Sequence, residues 1–111
     1  FIKESELIKE ISEKESCVII GRCADFILKD RKNVFKIFVY SDIENKIKRA
    51  KEFYGIENPE KEIKRINKLR ANHYKHYTEK EWGNHLNYDL CINSDAVGIE
   101  KATNLICDVV K

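Results

Sequence analysis

Apolar residues recur along this chain at two spacings, and the switches between them mark out its elements. Leu7, Ile8 and Ile11 lie at helical spacing inside Phe1–Glu15. The unbroken run Cys17-Val18-Ile19-Ile20 then stops at Gly21, which predicts a strand buried on both faces and a sharp turn at the glycine. Asp25-Phe26-Ile27-Leu28 opens a short helix to Lys29. Val34–Tyr40 is aromatic and β-branched and reads as a second strand. Ser41-Asp42-Ile43-Glu44 has the form of a capping box, with Ser41 as N-cap. Ile43, Ile47, Ala50 and Tyr54 continue at helical spacing until Gly55. Asn58-Pro59 starts the next helix, with Pro59 at its first position and Ile63, Ile66 and Tyr74 along one face to about Tyr77. Thr78–Asn87 is polar and irregular and holds Trp82 and Gly83. Tyr88–Ile92 is a third strand, Asn93-Ser94-Asp95 a turn, and Val97–Val110 a closing helix with Ile99, Ala102 and Ile106 inward.

The order is α-β-α-β-α-α-β-α. Such alternation predicts an α/β fold: a parallel sheet between helix layers, with right-handed crossovers. No linker or repeat divides the chain, so residues 1–111 read as one domain, with 58–87 as a basic arm.

Composition narrows the function. Lys and Arg number 21 and Asp and Glu 19, so a net charge of +2 gives no global case for nucleic acid or a membrane surface, and any basic site is local. No apolar stretch is long enough for a bilayer and no signal peptide is visible. Cys17, Cys23, Cys91 and Cys107 show no C-x-x-C spacing. Cys17 and Cys91 fall in strand-like runs and Cys107 on an apolar helix face. Reduced thiols in a cytoplasmic protein, with no metal site, are the expectation. The chain begins at Phe1 and contains no methionine, which suits a piece of a longer polypeptide.

The candidate chemistry is positive charge at strand ends. Arg22 follows the first predicted strand, at the mouth of a parallel sheet where α/β folds bind ligands. It reads either as a plain surface charge or as a guanidinium donating two hydrogen bonds to a phosphate. Lys46 and Arg49 are neighbours three apart on the helix after the second strand. The helix Pro59–Tyr77 of the arm carries Lys61, Lys64, Arg65, Lys68, Arg70 and Lys75, with its acids, Glu60 and Glu62, only in its first turn. It is either a solvated face or a mobile cover that closes over phosphates. His73 and His76 share its surface, but no Cys or carboxylate beside them completes a metal site. No G-x-S-x-G, Cys–His pair or paired carboxylates point to covalent or hydrolytic chemistry. Phosphoryl transfer needs positioning and positive charge above all.

VIIGRCADFILKD, VFKIFVYSDIENKIKRA, RANHYKHYT, Trp82-Gly83 and NYDLCINS together resemble the cytidylate kinase-like family of P-loop nucleoside monophosphate kinases, from about Cys17 to Lys111. The resemblance implies roles. Gly21 and Arg22 match the acceptor-nucleotide site. Lys46 and Arg49 match basic positions on the triphosphate side. The arm Ile63–Tyr77 matches the lid, with Arg65 and Arg70 as its phosphate-clamping arginines. Cys23 stands where well-studied relatives have Asp, and Asn67 where the lid often has Asp. No G-x-x-x-x-G-K-[ST] occurs in the chain.

What the resemblance implies is therefore the carboxyl-terminal portion of such a kinase, a P-loop kinase-like sheet lacking its central strand. The intact protein would use ATP and Mg²⁺ to phosphorylate a nucleoside monophosphate, CMP or dCMP first. The 111 residues alone are expected to be inactive, to hold no bound cofactor, and to self-associate through the unfilled slot in the sheet. The alternative is a non-catalytic α/β module that binds phosphate, a nucleotide or a partner protein.

Overall fold

A computed structural model describes residues 1–55 and 57–110. Ile56 and Lys111 lie outside the described residues, as does the side chain of Tyr54, which the helical spacing had placed on an inner face. The elements run α1 (Ile2–Lys14), α2 (Ala24–Ile27), β1 (Ile37–Tyr40), α3 (Ile43–Tyr54), α4 (Pro59–Thr78), a 3-10 turn (His85–Asn87), β2 (Leu90–Asn93), α5 (Ser94–Val97) and α6 (Ile99–Val109).

The mixed helix–strand class and the parallel pairing are as expected. β1 and β2 run parallel, with Ile37 opposite Leu90, Phe38 opposite Cys91, Val39 opposite Ile92 and Tyr40 opposite Asn93. Below this ladder the Asp89 and Leu90 N–H groups donate to the Lys36 carbonyl at 2.8 and 3.1 Å. The Lys36 N–H donates to Asp89 Oδ2 at 2.8 Å. The connection between the two parallel strands runs through α3 and α4, which pack on each other.

The expected first strand is the main correction. Cys17–Ile20 forms no ladder, and the sheet among the described residues has two strands rather than three. Nor is the run buried on both faces: Val18 is 92% and Ile20 88% exposed. Only Ile19 packs inward, on Ile8, Ala24 and Leu28 together with Ile27 and Val34. A strand exists by pairing, and the residues described here offer this run no partner. Gly21 does turn the chain, at φ +69°, and the turn extends through Arg22 (+61°) and Cys23 (+56°). Left-handed geometry costs a non-glycine residue about 1–2 kcal/mol, so two such residues in succession mark a constrained corner.

The helix ends follow local chemistry. The N-cap of α3 is Asp42, not Ser41: its side chain accepts the Asn45 N–H at 2.8 Å, and Ser41 is occupied elsewhere. α3 stops at Gly55 with φ +63°. Pro59 opens α4 fully buried, and Glu60 and Glu62 fill the first turn. Gly98, at φ +83°, splits the expected final helix, so that α5 precedes α6. Gly83 adopts φ +85°, and a Cβ there would stand 3.4 Å from the Phe38 ring; the loop after α4 thereby lies on β1. Phe38 stacks on Tyr88 and meets Trp82 edge-on. Two of the four thiols also depart from expectation. Cys17 and Cys107 are exposed, while Cys23 is buried and its thiol pKa is pushed up by that burial, with Asp25 and Glu4 adding to it.

Candidate functional site at the carboxyl end of the strands

β1 and β2 are each followed by the same dipeptide, Ser41-Asp42 and Ser94-Asp95. Because Tyr40 faces Asn93 in the register, the two Ser-Asp pairs arrive side by side at the carboxyl end of the sheet. Ser94 Oγ donates to the Tyr40 carbonyl at 3.1 Å. Asn93 caps α5 through its side chain, which accepts the Asp95 N–H at 3.0 Å.

Asp95 reaches back across the sheet end. Its Oδ2 accepts the Asp42 N–H at 2.7 Å. Ser41 Oγ lies 3.0 and 3.1 Å from its two oxygens. From α3, Arg49 Nη2 donates to Ser41 Oγ at 3.0 Å, and Nη1 stands 3.7 Å from Asp95 Oδ1. The hydroxyl's single proton goes to the carboxylate while its lone pair accepts the guanidinium. Asp95 is held below the usual carboxylate range, first by the Asp42 N–H and then by Asn45, Ser41 and Arg49, with partial burial opposing them. The arrangement leaves a half-exposed guanidinium fixed at a strand-end mouth, a geometry suited to phosphate oxygens.

The other expected site residues are scattered. Arg22 is exposed and makes no hydrogen bond or ion pair with the described residues. Gly21 supplies the turn before it. Lys46 is half-buried and likewise unpaired among the described residues. Arg65 is engaged by Glu62 on its own helix, with Nε 3.2 Å from Oε2. Arg70 is exposed without such a partner. The structure thus brings Arg49 into a built cluster and leaves the Arg22, Lys46 and Arg70 side chains unpaired among the described residues.

Ser41 and Asp95, the residues that hold Arg49, were expected only as a helix cap and part of a turn, although the repeated Ser-Asp after two parallel strands was a usable signal. A second unanticipated contact lies away from the mouth. Tyr74 of α4 is buried, and its hydroxyl donates to Asp25 Oδ2 of α2 at 2.6 Å. Burial, followed by the Asp25 hydrogen bond, pushes its phenol well above the ordinary tyrosine range. His73 and His76 both lie against the Tyr77 ring, which also stacks on Phe1 at 4.1 Å. No group of three or more His, Cys, Asp or Glu stands together as a cation cage among the described residues. No described helix is long and apolar enough to cross a membrane.

Residues 1–96 match the model of the cytidylate kinase-like family. A crystal structure of an uncharacterized protein from Eubacterium ventriosum is similar over 98% of this chain and 70% of its own, with 35% identity and a TM-score of 0.89. No curated protein matches.

Proposed function

The chain belongs to the cytidylate kinase-like family, and from that premise we propose that it is the carboxyl-terminal portion of a kinase moving the γ-phosphoryl of ATP to a nucleoside monophosphate. The observation that carries the reading is the placement of Arg49, held by Ser41 and Asp95 at the carboxyl end of two parallel strands. Phosphoryl transfer asks the protein for fixed positive charge around non-bridging oxygens, with little covalent work.

On this reading Arg49 and Lys46 face the triphosphate. Arg22, presented by the left-handed corner Gly21-Arg22-Cys23, takes the acceptor phosphate. Arg70 on α4 neutralises charge on the transferring group, and Arg65 joins it on leaving Glu62. The described residues suit phosphate oxygens better than a resident cation, so Mg²⁺ arrives with ATP as part of the substrate. CMP or dCMP is the favoured acceptor. The Gly-rich loop that cradles donor phosphates is not in these 111 residues; in this scheme it comes from polypeptide beyond them, and the 111 residues alone are inactive. The finer architecture, a three-layer P-loop kinase sheet whose central strand lies outside this chain, belongs to the same proposal.

The intact protein tests it. With ATP and Mg²⁺, phosphotransfer to CMP or dCMP is expected, and Arg22→Ala should lower kcat/KM for the acceptor by about a hundredfold, the loss of a charge-assisted bidentate contact. No transfer to any nucleoside monophosphate would overturn the reading in favour of a non-catalytic α/β module that binds phosphate, a nucleotide or a partner. What favours that second reading is the lack of a phosphate-cradling motif in the chain.

A further inference from the structure

Arg49 reaches the strand-end mouth on a long, flexible side chain, and such a chain gains affinity for a ligand only if something else restrains it. The restraint is visible. One terminal nitrogen donates to Ser41 Oγ at 3.0 Å and the other stands 3.7 Å from Asp95 Oδ1. Ser41 is itself held, because its hydroxyl lies 3.0 and 3.1 Å from the two Asp95 oxygens. Asp95 is held in turn by the Asp42 N–H at 2.7 Å and by the Asn93 cap on its own N–H. The chain of contacts runs from the backbone of both strand ends outward to the guanidinium.

We propose that Asp95 is a positioning residue: through Ser41 and by direct contact it fixes the Arg49 guanidinium at the sheet mouth, leaving its remaining N–H groups for the phosphates of a nucleoside triphosphate. A guanidinium has five N–H donors. The Ser41 hydrogen bond uses one of them, the 3.7 Å approach to Asp95 is an ion pair too long to use another, and no other described partner takes the rest. The Asp42 N–H and its other partners also hold the Asp95 pKa below the ordinary carboxylate value, so the carboxylate is ionised at neutral pH. The ligand class rests on the phosphotransfer reading; the role of Asp95 is the addition.

The opposite effect is a real chemical alternative. A carboxylate beside a guanidinium can quench its charge, in which case removing it would strengthen anion binding. The intact protein separates the two by titration calorimetry with ATP and Mg²⁺ and, separately, with CMP. Asp95→Asn is expected to weaken ATP about tenfold, Arg49→Ala by at least as much, and the double variant no further than Arg49→Ala, since contacting residues in one network are not additive. CMP affinity should stay within twofold, which a general structural loss would not allow. If Asp95→Asn folds poorly, Ser41→Ala, which removes only the hydroxyl between the two charges, should weaken ATP about threefold with the same selectivity. Unchanged or tighter ATP binding in both variants, or a loss that adds to that of Arg49→Ala, overturns the positioning role while leaving the kinase reading intact. A wild-type protein that binds CMP but not ATP overturns both.

Discussion

Asp95 accepts hydrogen bonds from the Asp42 N–H and the Ser41 hydroxyl, and both favour its ionised form over its acid. Its folded-state pKa is therefore depressed. By linkage, the stability it contributes is present in full above the unfolded carboxylate value, about 4, and is lost as pH falls through the lower folded value. Acid unfolding should consequently be shallower in Asp95→Asn than in wild type over that window, and the two curves should run parallel above it. Equal slopes below about pH 4 would show that Asp95 titrates as it does in the unfolded chain. At this scale the sequence was only partly legible. Gly21, Gly55 and Pro59 declared their positions because each has a backbone preference that no partner has to supply. Ser41 was misjudged: its spacing to Glu44 satisfies a capping box, yet Asp42 caps the helix because Ser41 is drawn to Asp95, 54 residues away.

Between elements, Tyr74 ties the carboxyl-terminal half of the basic helix to α2. α4 carries exposed lysines and arginines along most of its length, but its carboxyl-terminal half meets α2 through the buried Tyr74 hydroxyl and Asp25. Thr78 Oγ1 caps that end by donating to the Tyr74 carbonyl at 2.7 Å. Tyr74→Phe keeps the ring and removes the charge-assisted bond, so it should cost about 1.5–3 kcal/mol, measured by denaturant unfolding. Amide exchange should accelerate over Tyr74–Thr78 more than over Pro59–Ile63. A cost below about 0.5 kcal/mol would mean that ring packing alone docks the helix. Helices were readable because their hydrogen bonds are internal, so a window of sequence contains most of what decides them. Cys17–Ile20 was misread for the converse reason: its composition is that of a strand, but strand formation is decided by a neighbour, and α1 and α2 bury only Ile19.

For the whole molecule, surface area is the informative quantity. The chain exposes 8812 Å², where a compact protein of its mass exposes about 6,400 Å². Its radius of gyration is 15.4 Å, against about 13 Å for a compact chain of this length. Val18, Ile20, Phe53 and Leu86 are among the large apolar residues left exposed. A surface of that kind favours association, and unpaired strand-like segments add a template for it. The 111-residue chain should therefore sediment with a mass that rises with concentration, and Val18→Lys with Ile20→Lys should lower it towards the monomer. A monomer at high concentration would show that the exposed faces are tolerated in water. The parallel pairing of β1 with β2 has a consequence in time as well. Lys36 and Asp89, where the two strands begin to meet, are 53 residues apart, and closing a loop of that length costs about 3.5 kcal/mol of chain entropy before any ladder bond repays it. α3 and α4 need only near neighbours and form first. Arg49 should thus be in its helix before Asp95 arrives, so a partly folded chain is expected to hold α3 and α4 without the strand-end cluster.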